Sequence, residues 1–103
     1  MKGISRLMLV ALPALLAGSQ AWGQADPLQV RGWAAACSNC HGTGGIAQPG
    51  METLAGASKA DMTRKLKEYK AGTRPATIMH QLAKGYSDEQ LEEIAGYFAA
   101  QKK

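Results

Sequence analysis

Large apolar side chains are scarce in this chain. Beyond residue 25, the remaining 78 residues hold only ten of Leu, Ile, Val and Phe: Leu28, Val30, Ile46, Leu54, Leu66, Ile78, Leu82, Leu91, Ile94 and Phe98. That share, about 13%, falls below the roughly 20% at which failure to fold unaided is first suspected. A domain this small rarely holds itself together without a disulfide, a metal or another staple. The commonest staple is missing too: the two cysteines, Cys37 and Cys40, are three residues apart, and a bridge between them closes no useful loop. A core of protein side chains alone is therefore not a sufficient account of the fold. A large apolar cofactor would add the surface that is absent.

Long apolar runs are lacking as well, with one exception at the N-terminus. Lys2 and Arg6 precede a run from Leu7 to Ala17, followed by a more polar stretch, Gly18 to Ala25, rich in small residues. This is the pattern of a secretory signal with cleavage near Ala25, or alternatively at Gly23. The run is about half the length that spans a bilayer, and Pro13 interrupts it, so a retained anchor is the weaker reading. No cysteine follows it to take a lipid. Residues 1–25 are thus read as a cleaved export signal and 26–103 as the mature domain, directed to the periplasm without stable membrane insertion.

Excess charge of one sign is missing from that mature domain. Removing residues 1–25 takes Lys2 and Arg6 away and leaves ten basic against eight acidic residues, a formal charge of +2. Such a balance is too small to argue for nucleic acid or a membrane surface as partner, and neither is expected. Alternation of apolar and polar residues, the signature of half-buried strands, appears nowhere, so the expected class is all-α. The run Gly42-Thr43-Gly44-Gly45 is a turn, because a nucleotide-binding loop would need a preceding strand. No group of residues suggests a catalytic acid, base or nucleophile.

Four helical segments can be read. From Pro27 to about Cys40, with proline placed in the first turn, Leu28, Gly32, Ala35 and Ala36 recur at spacings of three and four. Glycines and Pro49 mark a long loop from Gly42 to Gly56. Ser58 caps a helix that runs to Ala71 and stops at Gly72, with Met62, Leu66 and Tyr69 inward. A shorter helix follows Pro75 and ends at Gly85, carrying Ile78, Met79, Leu82 and Ala83. Ser87 and Gln90 form a capping box for the last helix, whose stripe is Leu91, Ile94, Ala95 and Phe98.

The chemistry-bearing motif is Cys37-Ser38-Asn39-Cys40-His41, at the end of the first helix. Helical spacing places both thiols and the imidazole on one side of the chain, where the thiols can add to two haem vinyl groups and the ring can ligate iron. The export signal agrees with this reading. Three alternatives compete with it: a zinc site from Cys37, Cys40, His41 and His80; a thioredoxin-type redox pair; and an inert disulfide. Adjacent Cys40 and His41 fit a tetrahedral zinc site badly, and the redox pair needs a βαβ pattern that is absent.

For the second axial position the candidates are Met51, Met62, Met79 and His80. A methionine on an amphipathic helix is usually core, and Met62 fits that description; Met51 is close to His41 in sequence. Met79 lies 38 residues beyond His41, far enough for the chain to pass round the haem edge. His80 is its rival and would give a site of much lower potential.

Three segments together, CSNCHGTGG, PGMETLAG and LKEYKAGTRPATIMHQLAKGYSDEQLEEIAGYF, resemble class I c-type cytochromes, and most of all the cytochrome subunit of flavocytochrome c sulfide dehydrogenase and related single-haem domains. The resemblance implies a small fold of about four helices around one covalent haem c, held by Cys37 and Cys40, with His41 and Met79 as axial ligands, Met79 standing eight residues before Ser87. It also implies that the Pro49 carbonyl accepts a hydrogen bond from His41. Relatives often have a second proline three residues on, where this chain has Glu52. Gly32 with Tyr97 or Phe98 is expected at the crossing of the first and last helices. The implied function is periplasmic electron transfer, with an FAD-containing sulfide dehydrogenase subunit as redox partner. A free-standing carrier and, more remotely, a haem gas sensor are the alternatives. The basic helix from Lys59 to Lys70 is expected to be a solvated face or a docking surface for an acidic partner, and the acids at the start of the last helix to serve its dipole.

Overall fold

The computed structural model describes residues 25–103, so the export signal falls outside the described residues save for Ala25. It is all-α: α1 (Pro27–His41), α2 (Lys59–Ala71), α3 (Met79–Lys84) and α4 (Asp88–Ala99), with one 3-10 turn at Thr43–Gly45 and no strand among the described residues. No helix among them is long and apolar enough to cross a membrane.

The local signals for each helix are largely realised. Ser58 accepts from the Asp61 amide, and Gly72 at φ 79° closes α2 with its N–H directed to the Glu68 and Tyr69 carbonyls. Ser87 and Gln90 exchange both bonds of the capping box at α4. Pro27 stands in the first turn of α1, and a cap not anticipated from the sequence, Asp26, accepts from the Leu28 amide at 2.7 Å. The third helix departs from expectation. It begins at Met79, four residues later than Pro75 allows, and its N-cap, Ile78, has no side-chain bond to offer.

The core lies where α1 and α4 cross. Ala34, Met62, Ile94, Ala95 and Phe98 form it, with Trp33, Cys37, Leu54 and Leu66 packed around them. The stripe of α1 that faces it is Val30, Trp33, Ala34 and Cys37, and not the series beginning at Leu28, which is 76% exposed. Small residues leave several faces of this helix nearly equal in hydropathy, so the bulk of Trp33 and the fit of Ala34 decided the orientation. Likewise the crossing glycine is not Gly32, around which a Cβ would meet nothing within 4 Å. Ala34 occupies the crossing, with no exposed surface. The glycine that Phe98 requires is Gly45, in the 3-10 turn: a Cβ there would fall 2.7 Å from the Phe98 ring, and the residue sits at φ 81°. Its carbonyl also accepts from both Leu54 and Ala55 amides, tying the loop to the core.

Candidate functional site

The last turn of α1 delivers Cys37, Cys40 and His41 to one wall of a cleft. Cys37 is half-buried against the core and Cys40 is exposed; both are free thiols. Burial pushes the Cys37 thiol up from its ordinary value. The chain must leave His41 at once, and Gly42 makes this possible: at φ 88°, a Cβ on it would lie 1.8 Å from the Ile46 carbonyl oxygen.

His41 is oriented by the loop beneath it. Its Nδ1–H donates to the Glu52 carbonyl at 2.6 Å. A carbonyl can only accept, so the ring is the Nδ1–H tautomer and Nε2 keeps its lone pair for a metal. The expectation that Pro49 would be the acceptor is therefore corrected: Pro49 neither meets His41 nor lines the cleft, and Glu52 does both. The Met51 amide, bonded to Gln48 O, closes a turn over Pro49 and Gly50 and carries the chain past His41 before the next free carbonyl comes into reach.

The cleft has a volume of about 230 Å³ and opens to solvent. Its walls are mostly apolar. Seven of the ten large apolar residues beyond the N-terminal segment line it: Leu54, Leu66, Ile78, Leu82, Leu91, Ile94 and Phe98. Met51, Ile78 and Leu82 are each about half exposed there. Two thiols and an imidazole on one wall of an open apolar cleft are a donor set that fits a covalently held haem. No three His, Cys, Asp or Glu side chains converge as a cage among the described residues, which leaves the zinc alternative without its ligands. The redox-pair alternative loses its required strand in the same way.

Met79 lines the cleft, as do Met51 and the buried Met62. His80 does not. Its Nε2–H donates to the Arg74 carbonyl, and its ring stands 6.1 Å from that of Tyr69. Arg74 completes the cluster, stacking 5.6 Å over Tyr69 and reaching Glu68 at 3.0 Å. These bonds tie Arg74 to α2 and His80 back to Arg74.

Four of the five basic residues of α2, all but Lys59, are engaged in ion pairs within the molecule. Lys67 pairs with Glu92 at 2.8 Å and Lys70 with Asp88 at 3.0 Å, clamping α2 to α4. Arg64 bridges Asp61 and Glu68, and Lys65 reaches Glu52 at 3.0 Å. The acids of α4 therefore do more than serve its dipole. The bond to Lys67 holds the Glu92 carboxyl below its usual range, and Glu92 holds Lys67 above its own. A face neutralised in this way offers an acidic partner little net charge.

The cytochrome c family model matches residues 30–102. Among individual proteins, the chain is similar to the cytochrome subunit of sulfide dehydrogenase from Chlorobaculum tepidum, 32% identical over 88% of this chain and 93% of that protein. It is also similar to cytochrome c4 of Pseudomonas aeruginosa, 35% identical over 96% of this chain, although it spans only 47% of that relative's length. The thiosulfate dehydrogenase electron acceptor of Stutzerimonas stutzeri is 33% identical over 65% of this chain and 32% of its own length.

Proposed function

The chain belongs to the cytochrome c family, and from that premise we propose that it is an exported electron carrier ligated by His41 and Met79, which accepts electrons from a flavoprotein that oxidises sulfide. As a family member it carries one covalently bound c-type haem and moves electrons without catalysing a reaction on a substrate. When bound, that group takes up and gives back one electron.

The chain's own residues have separable tasks. Cys37 and Cys40 would tether the group through thioether bonds. His41, its tautomer set by the Glu52 carbonyl, would supply one iron ligand. Met79, at the start of α3 and in the lining of the same cleft, would supply the other, while the Arg74 carbonyl keeps His80 occupied. The apolar lining would keep water from the group. An iron held by both residues would have no position left for a substrate, and transfer would be outer-sphere. The single observation that carries this reading is the cleft itself, with the motif on one wall and Met79 among its lining.

Met79→Ala in the purified holoprotein is expected to abolish the long-wavelength sulfur-to-iron absorption band; persistence of the band would assign the ligand elsewhere. Carbon monoxide should bind the reduced wild type slowly if at all, and rapid binding would favour the gas-sensor reading. Isolation of the chain from its native periplasm, followed by a search for bound flavin, tests the partner. The relatives named cytochrome c4 and thiosulfate dehydrogenase electron acceptor favour a second reading, a free-standing carrier, which recovery of a flavin-free monomer would support. N-terminal sequencing of that material, expected to begin at or near Asp26, tests the export signal.

A further inference from the structure

Glu52 touches the site twice. Its backbone carbonyl accepts from His41, and its carboxylate meets Lys65 Nζ at 3.0 Å on α2. Among the described residues, this is the one ion pair that joins the loop between α1 and α2 to a helix. The main chain there has little else to fix it. The amides of Met51, Leu54 and Ala55 are bonded to Gln48 and Gly45, while no backbone bond is made by the amides of Glu52 or Thr53 among the described residues. Thr53 contributes one side-chain bond, accepting from the Ala47 amide. Lys65 itself is well anchored: it is only 26% exposed, lines the cleft, and lies 3.7 Å from Asp61 one turn earlier.

We propose that Glu52 and Lys65 are positioning residues for the proximal ligand: their ion pair braces the 52–53 peptide against α2, so that its carbonyl holds the His41 ring at a fixed angle. A charge-assisted bond at one end of the residue thereby steadies a neutral bond at the other. Residues 13 apart in sequence act on the ligand without touching the metal. The inference rests on His41 as the iron ligand.

The test uses ferric holoprotein and proton NMR, following the exchange with D2O of the His41 ring Nδ1–H, whose resonance is shifted by the neighbouring iron. Glu52→Gln and Lys65→Met should each accelerate that exchange about two- to fivefold, the range an exposed pair allows. Lys65→Arg, which keeps the charge and the donor, should retain the wild-type rate. Charge alone predicts something different: the two neutral single variants would move the reduction potential in opposite directions and leave exchange untouched. Unchanged exchange in both neutral variants, acceleration in only one of them, or acceleration in Lys65→Arg as large as in Lys65→Met would each overturn the brace. If the wild type shows no iron-shifted Nδ1–H, the fault lies with His41 as ligand and not with the brace. Both side chains reach solvent, so retained haem absorbance and helix content serve as the check that the variants fold.

Discussion

Two sides of the molecule are built differently. Where α1 and α4 cross, Ala34, Ala95 and Phe98 have no exposed surface, and Gly45 lets the 3-10 turn close over the phenyl ring. Across the cleft, Met51, Ile78 and Leu82 are each about half exposed, although they are apolar and point at one another's side of the same space. The first region is a finished protein core. The second is half a core, and the haem is its other half. The comparison predicts that a chain so poor in large aliphatic residues leans on its cofactor to fold, since most of those it has line the cofactor site.

The sharpest way to break the comparison is to remove the tether. A Cys37→Ala, Cys40→Ala double variant should lose helix and resist purification as a folded apoprotein, by far-UV circular dichroism. Normal folding of that variant would mean that the finished core suffices alone. Next in size, Phe98→Ala should cost about 3–5 kcal/mol in denaturant unfolding of the holoprotein, because its ring has no exposed surface. Leu82→Ala, on the open wall, should cost much less, since 46% of that residue is exposed already. Equal losses at the two positions would erase the distinction between the regions.

The smallest effect concerns the clamp that joins them. Lys67 lowers the Glu92 carboxyl in the folded state, so the pair stabilises above the ordinary carboxylate range, and that contribution disappears as pH falls through the lowered value. The wild type should therefore melt slightly above Glu92→Gln near neutrality, by a few degrees at most, and the two should converge in acid well below the ordinary carboxylate range. A difference that persists in acid would mean that the glutamate acts through packing and not through its charge.

The sequence by itself determined what short-range chemistry can specify. The Cys37–His41 motif names its cofactor through spacing within one helical turn or so, and the serines at 58 and 87 place two helix starts because a cap bonds only its immediate neighbours. The stripe of α4 was equally legible, since four large or well-fitted residues recur on one face. Tertiary structure decided everything that depends on residues far apart meeting in space. The face of α1 was settled by Trp33 and Ala34 against α4, where the sequence shows only small side chains of similar hydropathy. Gly45, not Gly32, admits Phe98, because the close approach comes from a loop and not from the helix crossing. His80 is committed to Arg74, a bond that only the folded path of residues 74–80 creates. The acceptor for His41 belongs to Glu52 and not Pro49. Any residue can present a backbone carbonyl, so side-chain identity does not announce which one will; the course of the loop, and the ion pair that carries it to Lys65, does.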